Sequence, residues 1–338
     1  MSITWKTAAV RPLVGVVAGL VALTGCATAG GGSSKSDEVS VVGFSILKTA
    51  NEQLLKDFQK TDAGKGVTFK TSYGASGDQS RAVIAGLKAD EVHLSLEPDV
   101  TKLVDEKLVA DDWKSGPNKG VVTQSVVAIV VRKGNPKGIK GWDDLVKPGV
   151  KIVTPNPGSS GSAKWNILAA YGHVLAQGGS EKDAQAYLSK FLGNVVALPG
   201  SGKDATTAFQ GGTGDVLLSY EYEAITANKQ GEDLEYVTPD DTIKINIDIA
   251  TTKDAPAQAK QFVDYALSDP AQERFASWGY RPVNEAVLAK HADEFPTPSG
   301  LFTIEDLGGW PKVNDEMFDP DKGSIAKIEE EAGVSTAK

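Results

Sequence analysis

The sequence predicts an α/β fold in two lobes, each a mostly parallel sheet flanked by helices. Three observations predict it. After position 38, strand-like runs rich in Val, Ile and Phe alternate with helical runs, the pattern of parallel strands joined by crossover helices. The length of 338 residues suits about two domains. Two strand-like segments, 123–127 and 245–249, are placed to carry the chain from one lobe to the other and back.

In chain order, strands at 39–44, 67–73 and 91–96 are each followed by a helix, at 49–59, 78–89 and 101–106. A second set begins with a strand at 123–132 and runs through 142–146 and 150–154 to helices at 162–177 and 182–191. Residues 216–220 read as a buried strand, and 243–250 alternate Ile with Lys, Asn and Asp like a half-exposed one. Helices at 257–267 and 270–278 then return to the first lobe. The boundaries that follow are 39–124 with 249–290 for lobe one, 125–248 for lobe two, and 291–338 for a C-terminal extension. The charged end from 319 onward reads either as a last helix or as a disordered tail.

The N-terminus gives the compartment. Lys6 and Arg11 precede an uncharged apolar run over 12–23, shorter than the ~20 residues of a spanning helix, which fits a signal peptide. It ends in Leu23-Thr24-Gly25-Cys26, which resembles a bacterial lipobox. Residues 1–25 are then a lipoprotein signal peptide, Cys26 is the lipidated first residue, and 26–38, rich in Gly and Ser, form a flexible tether. The expected location is outside the cytoplasmic membrane, anchored to its outer face, in the periplasm or cell-wall space.

Composition narrows the functional classes. Cys26 is the single cysteine, and His93, His173 and His291 have no His or Cys at ligand spacing, so neither a metal nor another cofactor is expected. The net charge of −9, with acids scattered, argues against nucleic acid and offers no long-range attraction to an anion. The serines at 159, 160 and 162 lack the G-x-S-x-G spacing of a hydrolase nucleophile, and Gly200-Ser201-Gly202-Lys203-Asp204 departs from a phosphate loop at both ends. No catalytic residue is assigned. The paired acids Asp111-Asp112, Asp143-Asp144 and Asp240-Asp241 read as solvated caps, and Trp142, Trp165, Trp278 and Trp310 as core residues.

Two loops carry the chemistry of an anion site. Tyr73-Gly74-Ala75-Ser76-Gly77-Asp78 and Pro157-Gly158-Ser159-Ser160-Gly161-Ser162 each lead into an apolar helix. The unpaired N–H groups of a first helical turn point out of its positive dipole end, and glycine lets a ligand approach closely. Either loop alone reads as a cap and a turn. Two of them in different lobes read as one divided site, and the loops are expected to face each other across a cleft.

With these blocks, and with Arg132-Lys133-Gly134-Asn135-Pro136, Trp142-Asp143-Asp144-Leu145, Trp165-Asn166, Gly214-Asp215-Val216-Leu217 and Tyr280-Arg281-Pro282, the sequence resembles the periplasmic sulfate-binding proteins of sulfate/thiosulfate importers. The resemblance spans about 39–310. It implies the two-lobed type II periplasmic binding fold with an interlobe cleft, and sulfate held by donors without a counter-cation. It implies backbone donors at Ser45, Ser76, Gly161, Ser162 and Gly202, a hydroxyl donor at Ser160, and Tyr220 at the position of an indole donor. It also implies delivery to the membrane permease of an ABC importer by a monomeric receptor. Three positions depart from the family pattern: Ser45 stands for an aspartate, Ser162 for a glycine and Tyr220 for a tryptophan. The last leaves other oxyanions open (thiosulfate, molybdate, phosphate). From a different class, an adhesive or scaffolding lipoprotein that kept the fold is the alternative.

Overall fold

The computed structural model describes residues 38–333. The expected signal peptide, Cys26 and nearly all of the tether lie outside the described residues. The strands are β1 (Glu38–Phe44), β2 (Thr68–Gly74), β3 (Glu91–Leu94), β4 (Val121–Val131), β5 (Ile152–Val153), β6 (Val195–Ala197), β7 (Val216–Tyr220), β8 (Glu235–Val237), β9 (Lys244–Thr251) and β10 (Arg281–Pro282). The helices of the first part are α1 (Lys48–Phe58), α2 (Ser76–Ile84), α3 (Glu97–Asp105) and α4 (Trp142–Leu145). They are followed by α5 (Gly161–Ala176), α6 (Glu181–Gly193), α7 (Gly202–Gln210) and α8 (Glu221–Lys229). The last are α9 (Ala257–Ala266), α10 (Asp269–Ala276), α11 (Glu285–Lys290), α12 (Gly309–Lys312) and α13 (Ser324–Glu331).

The strands join in the order β2-β1-β3-β9-β4-β7-β5-β6, with β8 and β10 also on β4. In one half β1 pairs in parallel with β2 and β3, and in the other β5 pairs in parallel with β6 and β7. This is the two-lobed arrangement that the resemblance implies. The antiparallel pairs gather around β4 and β9, the long strands that cross between the halves. Early residues of β4 pair with β9 and β10, and its late residues pair with β7 and β8. The segments read as crossings therefore lie against each other, with Ser125 opposite Ile245.

Period-2 patterning explains the core of the crossing. Ile243, Ile245, Ile247 and Ile249 put their side chains into the main apolar cluster with Tyr220, Tyr222 and Tyr280. The opposite face of β9 differs from the half-exposed strand expected of it. Lys244 and Asn246 are half-buried, but Asp248 is buried, because it sits opposite Leu94 of β3 and Val121 of β4.

Several quoted motifs prove to be structural. Arg132 donates to the carbonyls of Phe209, Thr213 and Gly214 and lies 3.7 Å over the Phe209 ring, pinning the loop before β7. Arg281 forms a two-pronged pair with Glu221 at 2.8 and 3.0 Å, and both are buried. Removing either partner would strand a buried charge, at a cost of about 3–5 kcal/mol. One pair of acids corrects the expectation of solvated caps. Asp241 is buried, with its carboxylate 2.5 Å from Nδ1 of His173 and accepting from Gln177, while its carbonyl accepts from the Trp142 indole. Beyond α12 the chain ends in a helix, α13, packed on α6.

Candidate functional site

The first group of donors sits where β1 and β2 end. After Phe44 the chain turns at once into a 3-10 turn (Ser45–Leu47) and α1. After Gly74, the extended Ala75 caps α2, whose first residue is Ser76. The Ser76 hydroxyl is already engaged: it donates to Asp99 at 2.7 Å and accepts the Ser95 N–H at 3.1 Å. Only the Ser76 amide is left for a ligand.

The second group comes from three helix starts in the other half. Ser160 caps α5 with extended backbone, and its own N–H goes to Asn156 O at 2.9 Å. Its hydroxyl makes no bond to the first turn of α5. Gly202 opens α7, next to Ser201, whose hydroxyl accepts from Asp204 N at 3.2 Å. Tyr220 ends β7 and caps α8. Because Ser45, Ser76, Gly161, Ser162 and Gly202 each lie at or next to a helix start, their N–H groups have no helical acceptor. None finds another among the described residues.

These elements converge. Gly77 N–H donates to Ser159 O at 3.1 Å, so the two glycine loops do face each other. Lys203 N–H reaches Ser45 Oγ at 3.4 Å, joining the start of α7 to the turn after β1. A Cβ on Gly202 would lie 2.5 Å from Ile46 Cδ1 and 3.5 Å from Ser162 Oγ, and one on Gly161 would lie 2.7 Å from Leu96 Cγ. Both glycines therefore stand where the halves approach too closely for a side chain. The Tyr220 ring is fully buried, with its hydroxyl beside the side chains of Ser95 and Ser162. Neither that hydroxyl nor Ser162 Oγ makes a hydrogen bond of good geometry. Buried polar groups are normally paired, and here two hydroxyls without a partner of good geometry lie beside five free amides, a local concentration of donors.

The electrostatics suit a donor site without a counter-ion. Burial pushes the Tyr220 phenol well above its usual value, so it keeps its proton. Three cations around the site face carboxylates of their own: Arg81 pairs with Asp78, Lys102 with Asp99 at 3.2 Å, and Lys203 with Glu223 at 3.8 Å; Lys164 instead lies 4.8 Å over the Phe318 ring. A cavity of about 320 Å³ opens at Ser45, Lys48, Tyr73 and the Gly200–Ser201 turn. A second, of about 100 Å³, lies on the far side of the loops by Arg81, Lys102 and Lys164.

Sequence reasoning missed the supports of these donors. Asp99, buried by α3, fixes the Ser76 hydroxyl, and Trp165, read only as core, donates its indole N–H to Ser95 O at 2.7 Å. The one available signal was the position of Trp165 a turn after Ser160–Ser162.

Comparison with known proteins follows this geometry. Residues 39–281 match the family model of the bacterial extracellular solute-binding protein. The chain belongs to that family. Among similar proteins, a sulfate-binding protein of Synechococcus elongatus is 40% identical over 311 residues, covering 89% of each chain. A thiosulfate-binding protein of Pseudomonas aeruginosa is 34% identical, covering 86% of this chain and 91% of the relative. The solved structure of the sulfate-binding protein SubI from Mycobacterium tuberculosis superposes with a TM-score of 0.81 at 41% identity, covering 83% of this chain and 99% of that one. As a member of an extracellular solute-binding family, the chain is an exported protein of the solute-capture class.

Proposed function

We propose that this protein captures sulfate between its lobes and delivers it to the membrane permease of an ABC importer. Sulfate would accept from the amides of Ser45, Ser76, Gly161, Ser162 and Gly202 and from the hydroxyls of Ser160 and Tyr220. The single observation that carries this reading is the cluster of unpartnered donors, amide and hydroxyl, among the described residues. Sulfate at neutral pH has no proton to donate, so donors alone satisfy it. Each charge-assisted bond contributes about 1.5–3 kcal/mol net, against the desolvation of a dianion, and a dissociation constant near micromolar, about −8 kcal/mol, is the reasonable balance.

Relatives named as thiosulfate-binding proteins favour thiosulfate as a second ligand of the same site. Calorimetric titration of the chain from Cys26 onward with sulfate, thiosulfate, molybdate and phosphate tests both readings. Saturable heat with sulfate is expected. No heat with any of the four would remove the receptor reading and leave the scaffolding alternative.

The same reading makes the protein a receptor without catalysis or cofactor, working as a monomer, with residues 39–124 and 249–290 as one lobe and 125–248 as the other. It includes a lipid anchor on Cys26. Incorporation of a labelled fatty acid into the wild-type chain, absent in Cys26→Ser, is the corresponding test.

A further inference from the structure

The hydrogen bond between the Trp165 indole and the Ser95 carbonyl joins the two halves of the sheet through residues that are not among the proposed anion donors. Ser95 follows β3, which belongs with β1 and β2, whereas Trp165 lies on α5, which follows β5 and belongs with β6 and β7. The bond is 2.7 Å long, and both residues are only 1% exposed. It is the first link of a relay. The N–H of the same Ser95 donates to Ser76 Oγ at 3.1 Å, and Ser76 Oγ donates to Asp99 Oδ2 at 2.7 Å. Ser80 Oγ donates to the Asp99 carbonyl at 2.7 Å, fixing α2 to α3. One indole on the second half thus holds the residue that presents an amide donor on the first. Trp310, from the C-terminal extension, packs its ring edge-on against Trp165 with centroids 4.9 Å apart at 72°, a contact separate from the indole N–H.

We propose that Trp165 is a positioning residue that clasps the cleft shut and holds the Ser76 amide in line, independently of the anion. The chemistry is that of a bond made only in the closed state. With the lobes apart, water satisfies both the Ser95 carbonyl and the indole N–H. With the lobes together each needs the other, because a buried orphan is costly. The clasp raises the closed population, and apparent affinity scales with the population of the competent state. Its loss therefore acts mainly on release, since an open cleft is still reached by diffusion as before.

This inference rests on the sulfate reading for its kinetic arm and stands apart from it in a second arm. In the first, stopped-flow release of sulfate is compared between wild type, Trp165→Phe and Trp310→Phe. The phenylalanine at 165 keeps a ring and deletes the donor, whereas the change at 310 weakens packing and leaves the clasp intact. Trp165→Phe should speed release by about tenfold, with an association rate within about threefold of wild type, whereas Trp310→Phe should release sulfate at the wild-type rate. Ser76→Ala, which keeps the amide and breaks the relay on the other side of Ser95, should also speed release. It carries the test if Trp165→Phe does not fold. In the second arm, small-angle scattering of the ligand-free proteins should show a larger radius of gyration for Trp165→Phe than for wild type. Unchanged release in folded Trp165→Phe or in Ser76→Ala, or equal radii, would overturn the proposal. A wild-type protein that ignores sulfate would instead sink the ligand assignment and leave the scattering arm to judge the clasp.

Discussion

Replacing Tyr220 with phenylalanine separates a ligand donor from a core aromatic, because the two roles predict opposite signs. In the structure the Tyr220 hydroxyl is buried and makes no hydrogen bond of good geometry, so its presence is a cost, not a gain. An orphaned buried hydroxyl is unfavourable by about 1–3 kcal/mol, and the ring that remains in Tyr220→Phe keeps its contacts with Phe44 and Tyr222. The melting temperature without ligand should therefore hold or rise. With sulfate in place the hydroxyl becomes a donor to a charged acceptor, contributing about 1.5–3 kcal/mol, so affinity should fall about ten- to a hundredfold. Calorimetric titration gives the second quantity and thermal melts with and without sulfate give the first. A variant that keeps its affinity within about twofold while melting earlier would place Tyr220 in the core and refute its part in the site.

Three further outcomes follow from the same geometry. Gly161→Ala should abolish sulfate binding and leave a folded chain, since a Cβ there meets the Leu96 side chain at 2.7 Å and the Ser95 hydroxyl; gel filtration with titration checks both halves. Sulfate affinity should change less than about threefold between pH ~5 and ~8, because amides do not titrate and burial drives the His93 pKa down to about 3, keeping that ring neutral; titration across the range tests it. Stability should behave differently from binding. Burial lifts the Glu329 carboxyl to about 8, so the folded state holds a proton that the unfolded chain gives up near 4.5. That contribution is complete below the ordinary carboxylate range and is lost as pH rises toward 8. Glu329→Gln should therefore melt later than wild type by a margin that grows from pH ~5 to ~8, and parallel melting curves would contradict the assignment.

The donor residues were legible because glycine and serine before an apolar helix are a local signature of free amides. Ser45, Gly202 and Tyr220 were not part of the two glycine loops and were reached only through the resemblance to known receptors. What stayed hidden depends on partners distant in sequence. Asp241 looks like any loop acid until His173, 68 residues away, meets it. Asp248 looks like the polar side of an alternating strand until β3 closes over it. The C-terminal charges left a last helix and a loose tail both open, and Ile325, Ala326 and Ile328 give α13 a buried face that carries Glu329 inward with them. The Trp165 indole belongs to the same class: its apolar ring was legible and its polar edge was not.

The free amides of the site also set how it appears to genetics. An N–H belongs to every residue except proline, so under the proposed reading the ligand contact at Ser45 does not depend on the side-chain type. A saturation survey would find many tolerated substitutions at this position, with proline and steric bulk as the main lesions. Intolerance would concentrate instead at Gly161 and Gly202, where two halves nearly touch, and at Trp165, Asp99 and the Glu221–Arg281 pair, which hold the frame. Surveys of sequence variation would then point to the scaffolding of this receptor more strongly than to the atoms that meet its anion.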